Sequence, residues 1–180
     1  MSKPKLATCS LAGCFGCHMS LLDIDERIIE LITMVDLDKS PLDDKKAFDG
    51  MVDIGLVEGG CANEHNVHVL RDFRAHCRIL VSVGACAITG GIPAMRNLVS
   101  LQECLEEAYL TGPTVEAGGM IPDDPDLPKL LDRVYPVHEF VKIDHFLPGC
   151  PPSADAIWAA LKALLSGQTP ELPYNLLKYE

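Results

Sequence analysis

Four short apolar segments, each followed by a glycine-containing turn, divide this 180-residue sequence. They cover residues 5–8, 51–57, 78–83 and 141–146. The third is an almost unbroken aliphatic and β-branched run, which is typical of a strand buried on both faces. Because helical patterns lie between the segments, the alternation predicts an α/β fold with an open parallel sheet and helices on both of its faces.

Amphipathic patterns predict the helices between these strands. Apolar residues recur at helical spacing from position 20 to position 35, which predicts one helix there, and a second helix begins near Asn63. Ser100 followed by Glu103 predicts a capping box, and Ser153 predicts the N-cap of the last helix.

Two stretches lack these patterns and are predicted to be loops. Residues 36–50 are polar and carry a run of charges, which is typical of a solvated loop. Residues 111–136 contain five prolines and three glycines, so at most a short helix is expected within them, near positions 129–133. Long loops of this kind are commonly functional or covered by a partner.

Four cysteines stand in or beside the glycine turns. Cys14 and Cys17 follow the first predicted strand, Cys86 follows the third and Cys150 follows the fourth. Ligands of open α/β sheets gather at the carboxyl ends of strands, so the four thiolates are expected to share one metal site. Ligands that arrive from distant turns favour an iron–sulfur cluster over a zinc finger, whose ligands usually come as compact local pairs.

The other cysteines have simpler interpretations, and the first pair has alternatives. Cys14 and Cys17 could also form a redox dithiol or part of a zinc site in an interaction module. Cys61 is expected to be an unligated thiol, with an accessory ligand as the alternative. Buried packing is expected for Cys9, Cys77 and Cys104.

The charge and hydropathy of the chain exclude several classes of partner. Twenty-six acidic residues against 15 lysines and arginines give a net charge of −11, which argues against nucleic acid and anionic membrane surfaces. Residues 1–5 lack an apolar signal core, and no run approaches the ~20 apolar residues of a membrane helix. We therefore expect a cytoplasmic protein with one domain over residues 1–180.

Four sequence motifs, in this order, resemble those of the small, electron-transferring subunit of [NiFe] hydrogenases. They are GCFGCHMS (residues 13–20), EGGCANEHN (58–66), VGACAITGG (83–91) and PGCPP (148–152). The resemblance implies a flavodoxin-like domain in which Cys14, Cys17, Cys86 and Cys150 hold a [4Fe–4S] cluster. That cluster is proximal to a nickel–iron site in a separate large subunit, so this chain is expected to contain no catalytic residue.

The number of residues after Cys150 indicates which type of hydrogenase small subunit the chain resembles. Only 30 residues follow Cys150 and none is a cysteine, so one cluster is expected, as in the soluble cytoplasmic NAD-reducing hydrogenases. In those enzymes flavoprotein and iron–sulfur subunits exchange electrons with NAD. The resemblance therefore implies a subunit of hydrogen dehydrogenase that has no turnover alone. Larger relatives have a glutamate at the position of Gly13, which leaves a proton route through this chain in doubt.

Related redox proteins offer a second interpretation of the same motifs. The cluster-bearing subunit of NADH dehydrogenase is similar, but that family has adjacent cysteines where this chain has two residues between Cys14 and Cys17. Flavin mononucleotide (FMN) bound at residues 8–13 is a weaker alternative, because the same loop already supplies two cluster ligands.

Several polar or aromatic residues near the motifs have both a functional and a structural interpretation. Glu58 and Glu64 either line an interface or proton route or cap a helix. His65 and His68 have a spacing that could bind metal, but a surface pair is expected. Trp158 is expected to pack in the core or at an interface.

Overall fold

The computed structural model describes residues 3–177, which form a five-stranded parallel sheet and a two-stranded antiparallel pair. The strands are β1 (Lys5–Ser10), β2 (Asp36–Leu37), β3 (Val52–Glu58), β4 (Cys61–Asn63), β5 (Cys77–Val83), β6 (Leu130–Tyr135) and β7 (His145–Leu147). The α-helices are α1 (Gly16–Leu22), α2 (Arg27–Met34), α3 (Glu64–His76), α4 (Ala85–Thr89), α5 (Leu101–Glu106) and α6 (Ala154–Leu165). Short 3₁₀ helices cover Ile92–Leu98, Val137–Glu139 and Tyr174–Leu176, and a π-helical turn covers Glu107–Thr111.

The large sheet has the strand order β2-β1-β3-β5-β7, and its strands pair in parallel. Ala7 lies opposite Gly55 and Leu56 lies opposite Val81, so the central strands are in continuous register. Because the strands run in one direction, the turns at their carboxyl ends meet at one edge of the sheet. The predicted α/β, flavodoxin-like fold with an open parallel sheet is confirmed.

Helices cover both faces of this sheet. Leu6 packs on one face with α1, α2 and α6, whereas Ala7 packs on the other face under α3, whose Phe73 is fully buried. Trp158 lies in the first of these cores, as predicted. The predicted capping box of α5 and the Ser153 cap of α6 are both present. Within the described residues, no helix has the length and apolarity needed to cross a bilayer.

The single helix predicted for residues 20–35 is wrong. The chain instead forms α1 and α2, which are separated at Asp25 by a left-handed backbone conformation (φ 57°). Aspartate tolerates this conformation better than most residues with a side chain. Both helices bury apolar residues in the same core, so the helical spacing continues across the break and conceals it.

The short helix considered near positions 129–133 is also wrong, because this segment forms β6. It pairs antiparallel with β4, with Cys61 opposite Tyr135. The partner strand lies far away in the sequence, so local composition gives no sign of the pairing. Val134 is buried where the pair packs against the rest of the molecule.

Two other strand boundaries differ from the prediction. The predicted loop 36–50 begins with β2, which extends the sheet beyond β1. The last strand begins only at His145, because Val141 and Ile143 pack against the second core before the chain reaches the sheet.

The turns after β1 and β3 are joined to each other by their main chains. The Leu11 N–H donates to the Glu58 carbonyl at 2.8 Å, and Ala12 and Gly60 exchange hydrogen bonds of 2.9 and 2.8 Å. Gly59 has a positive φ of 84°, and a Cβ added there would lie 2.7 Å from the Leu11 carbonyl carbon. These contacts make a closed main-chain wall at the edge where the strands end.

Candidate metal centre

Three turns at the carboxyl edge of the sheet carry the four predicted ligands. Cys14 lies in the turn after β1, and Cys17 lies in the first turn of α1. Cys86 is the second residue of α4, directly after β5, and Cys150 follows β7. The strand ends therefore bring together residues that lie far apart in the sequence.

Hydrogen bonds and close contacts hold these turns side by side. The Ala85 N–H donates to the Gly149 carbonyl at 2.8 Å, which joins the Cys86 turn to the Cys150 turn. A Cβ added to Gly13 would lie 4.0 Å from the Cys86 Cβ, so the first turn is also adjacent.

Two glycines with positive φ bring the main chain against the cysteine sulfurs. Gly84 has a φ of 83°, and a Cβ there would collide with the Cys17 Sγ. Gly91 has a φ of 50°, and a Cβ there would lie 2.8 Å from the Cys86 Sγ. Only glycine fits either position without displacing a sulfur. The Cys17 sulfur therefore lies directly against the turn that carries Cys86.

The four thiols form an inner pair and an outer pair. The inner thiols, Cys17 and Cys86, are half-buried, whereas the outer thiols, Cys14 and Cys150, are exposed. Burial and the neighbouring Glu58 carboxylate raise the pKa of the Cys17 thiol, and burial raises the pKa of the Cys86 thiol. Without a metal the inner thiols are therefore protonated at neutral pH, and a bound metal must displace their protons.

The spacing of the thiols bears on the kind of metal they could bind. Among residues 3–177, no three cysteine, histidine or carboxylate side chains are close enough together to share a single metal ion. A tetrahedral zinc site with Zn–S bonds of about 2.3 Å places its sulfurs about 3.8 Å apart. A four-iron cluster binds each cysteine through a different iron and therefore suits a wider set of sulfurs.

A buried histidine and carboxylate lie behind the inner thiols, and sequence reasoning missed their pairing. Glu58, the last residue of β3, accepts the His18 backbone N–H at 2.9 Å and the Ser10 hydroxyl at 2.7 Å. Burial raises the pKa of Glu58, but the hydrogen bonds from His18 and Ser10 outweigh it and lower this pKa overall. Glu58 thus caps α1 and is not exposed at a surface. In the sequence, the signal for this pairing is the histidine directly after the predicted ligand Cys17.

The remaining candidates are four cysteines that are not predicted ligands and three residues of α3. Cys9 and Cys77 are buried, as expected, whereas Cys104 is only half-buried, contrary to the expectation. Cys61 is also buried. Glu64 lies in the first turn of α3, whose N-cap is Asn63. His65 and His68 are exposed on the same helix, as expected for a surface pair.

The proposed flavin stretch, residues 8–13, uses its hydroxyl groups internally. Thr8 is buried, and its Oγ1 lies 2.7 Å from the Ser40 hydroxyl and 2.9 Å from the His18 Nε2. Ser10 donates to Glu58. Neither hydroxyl is oriented toward an open phosphate site.

Comparison with known proteins assigns the chain to a family. The family model described as NADH ubiquinone oxidoreductase, 20 Kd subunit, matches residues 14–164. The chain belongs to this family.

Two relatives of the chain are hydrogenase subunits. The chain is 47% identical over 180 residues to the NAD-reducing hydrogenase HoxS subunit delta of Cupriavidus necator, covering 99% of this chain and 86% of that subunit. It is 38% identical over 175 residues to a subunit of the F420-non-reducing hydrogenase of Methanocaldococcus jannaschii, covering 96% of this chain. It spans only 60% of the length of that second relative.

Solved structures give the same result. A chain in the crystal structure of NAD+-reducing [NiFe]-hydrogenase in the H2-reduced state superposes with a TM-score of 0.96 and 50% identity, over 99% of both chains. The Desulfomicrobium baculatum Ni-Fe-Se hydrogenase, at 19% identity and a TM-score of 0.55, shares the fold. The resemblance to [NiFe]-hydrogenase small subunits, and to their NAD-reducing type, is confirmed.

Proposed function

We propose that this chain is the electron-transfer small subunit of a cytoplasmic NAD-reducing [NiFe] hydrogenase. The proposal is carried by the TM-score of 0.96 and 50% identity to a chain of an NAD+-reducing [NiFe]-hydrogenase, over 99% of both chains. In this role Cys14, Cys17, Cys86 and Cys150 hold one [4Fe–4S] cluster, beside the nickel–iron site of a partner large subunit.

The chemistry of the donor set supports such a cluster. All four donors are thiol sulfurs carried by three turns, and glycines keep the main chain close to the inner sulfurs. When bound, the cluster accepts and releases one electron at a time. The chain itself holds the four sulfurs, covers the inner pair in part and leaves the outer pair open toward a partner.

The reactions at both ends of electron transfer are assigned to other subunits. Four thiolates occupy the positions that a protein offers to a [4Fe–4S] cluster, so hydrogen splitting needs another metal with open positions. No Gly-x-Gly-x-x-Gly turn with an acidic residue about 20 positions downstream follows a predicted strand. The NAD site therefore belongs to flavoprotein and iron–sulfur partners.

Single cysteine replacements test the ligand assignment. Changing Cys14, Cys17, Cys86 or Cys150 to Ser should abolish or alter the EPR signal of the reduced cluster and weaken assembly of the complex, because ligand binding contributes to folding. Cys77→Ser is the matched control and should do neither. A complete, unaltered cluster in both Cys86→Ser and Cys150→Ser would refute the assignment.

Reconstitution tests the place of the chain between the two reactions. The cluster-loaded chain alone should reduce dye with neither H2 nor NADH. Adding the large subunit should restore only the H2-dependent reaction, and the NADH-dependent reaction should require the flavoprotein partners. Turnover of NADH by this chain alone would instead reveal a flavin site, with residues 8–13 as its first candidate.

The family description supports one alternative, a cluster-bearing subunit of an NADH dehydrogenase-like complex. Metal analysis of the native complex separates the two. Nickel in a co-purifying chain supports the hydrogenase, and a nickel-free complex that retains iron and sulfide supports the alternative.

A further inference from the structure

A buried histidine directly after Cys17 ties the cysteine-bearing segment to the sheet. His18 is only 4% exposed, and its Nε2 lies 2.9 Å from the Thr8 Oγ1 in β1. The Thr8 hydroxyl in turn lies 2.7 Å from the Ser40 hydroxyl. One imidazole thus connects the first turn of α1 to β1 and, through it, to the loop after β2.

Glu58 holds the main chain of the same histidine. Its carboxylate is buried at the end of β3 and accepts the His18 backbone N–H at 2.9 Å. Its Oε2 also lies 3.2 Å from the His18 Nδ1, although this ring nitrogen makes no well-aligned hydrogen bond to the described residues. His18 is therefore fixed through both its backbone and its side chain, one residue from Cys17.

Phe15 covers one face of the imidazole. The two rings stack with their centroids 4.4 Å apart and their planes 6° apart. Phe15 has a left-handed backbone with φ 66° and ψ 9°, a conformation that is strained for a bulky residue. The stacking therefore fastens Phe15, which lies between Cys14 and Cys17, to the histidine that the hydrogen bonds fix.

We infer that His18 is a positioning residue for the metal centre, because it fixes the segment between Cys14 and Cys17 and so the direction of both sulfurs. The inference rests on the proposed function, in which these sulfurs are cluster ligands. The potential of an iron–sulfur cluster depends on its ligands, on the hydrogen bonds to the sulfurs and on solvent exposure. A change at His18 should therefore alter the cluster and not only the stability of the fold.

The test compares variants of the full-length chain in the anaerobically purified native complex. His18→Ala removes both the Thr8 contact and the stacking, whereas His18→Gln keeps a polar group that can reach Thr8. His68→Ala removes an exposed histidine of α3 and is the matched control. For each complex we would measure iron and sulfide per chain, the EPR spectrum of the reduced cluster, its midpoint potential and the rate of iron loss to a chelator.

We expect His18→Ala to lose iron roughly tenfold faster than the wild type, as is typical when a residue that orients a metal ligand is removed. Its EPR line shape and midpoint potential should also change. His18→Gln should recover part of these losses, and His68→Ala should match the wild type.

Phe15→Gly provides a second test in case His18→Ala does not fold. It removes the stacking and relaxes the backbone without touching the core, so iron loss should be roughly two- to tenfold faster. The positioning role alone would be overturned if the folded His18→Ala complex had the spectrum, potential and iron-loss rate of the wild type. If the His18→Ala complex does not form, the same result in the Phe15→Gly complex would overturn it. A wild-type complex without iron and sulfide would overturn the proposed function and this inference with it.

Discussion

The inner and outer thiols of the candidate centre differ in what holds them. Cys17 lies against Gly84 and in front of the buried Glu58, so its position is set by the folded chain itself. Cys14 and Cys150 are exposed at the edge of the same site. The centre thus has one wall built from its own core and one side open to solvent.

This difference separates the properties of the centre that depend on this chain from those that would depend on a partner. The inner side is formed by strand ends, glycines without room for a side chain, and a satisfied buried carboxylate. Its geometry should therefore already exist in the isolated fold. The outer side has no such support within the described residues, so in the proposed role a partner would have to exclude water there.

The largest effect is expected from a substitution in the inner wall, the side of the centre where Gly84 lies against Cys17. A Cβ at Gly84 would meet the Cys17 Sγ, so Gly84→Ala should reduce the cluster content of the complex roughly a hundredfold. The control is Gly50→Ala, because Gly50 has nearly the same φ of 87° but no atom within 4 Å of the added Cβ.

Gly50→Ala should therefore show only the backbone cost of about 1–2 kcal/mol in the free energy of unfolding, with a full cluster. Iron and sulfide analysis and calorimetry of both variants make the comparison. Equal cluster contents in the two variants would mean that the inner wall does not constrain Cys17.

A smaller effect is expected at Asp38, which follows the edge strand β2. This carboxylate is 1% exposed and lies 3.0 Å from the Lys45 Nζ and 3.1 Å from the Lys5 Nζ. Burial raises its pKa, but the hydrogen bonds from Lys45, the Lys39 backbone and Lys5 outweigh burial and lower the pKa from 3.8 to about 2.

Since the pKa of Asp38 is lower in the folded state, its contribution to stability is complete above about pH 4 and is lost as the pH falls toward 2. Asp38→Asn should therefore lower the free energy of unfolding by about 2 kcal/mol, equally at pH 5.5 and pH 8. The EPR spectrum of the cluster should not change. Urea titrations at several pH values measure the difference, and a difference that grows on acidification would contradict the assignment.

The smallest effect is expected at a row of exposed apolar residues that begins next to Gly91. A 3₁₀ helix has three residues per turn, so Ile92, Met95 and Leu98 lie in one line, exposed by 69%, 61% and 83%. If the partner that covers the outer thiols extends onto this row, Leu98→Asp should weaken subunit association roughly fivefold.

Met51→Asp is the control for the row, because Met51 is also apolar and exposed but precedes β3 at the opposite edge of the sheet. Its association constant should equal that of the wild type in a titration of the partner complex. Equal weakening by both replacements would show that the row has no special role.

The sequence predicted best what local patterns and strand-end positions determine. The central strands, the caps at Ser100 and Ser153 and the meeting of the glycine turns all follow from spacing, turn chemistry and parallel topology. The exposure difference between inner and outer thiols does not follow from these patterns. It depends on which turn lies against which, and that is set by the packing of the whole sheet.

The wrong and missed features share a physical cause. The break at Asp25 preserves the apolar period, and β6 finds its partner in β4 only through a non-local pairing. The contact between Glu58 and His18 likewise joins residues that no local rule connects. Each depends on tertiary packing, which overrides weak local preferences.

The main-chain wall between the turns after β1 and β3 has a consequence for which cofactor this fold accepts. A flavin phosphate needs free backbone N–H groups at that crevice. Here the N–H groups of Leu11, Ala12 and Gly60 already donate to carbonyls. Opening the crevice would break three hydrogen bonds, each worth about 1 kcal/mol, and would separate Gly59 from the chain it touches. In the proposed role, the edge that admits an organic cofactor in other doubly wound sheets would instead hold an inorganic one, bound by sulfur outside this closed crevice.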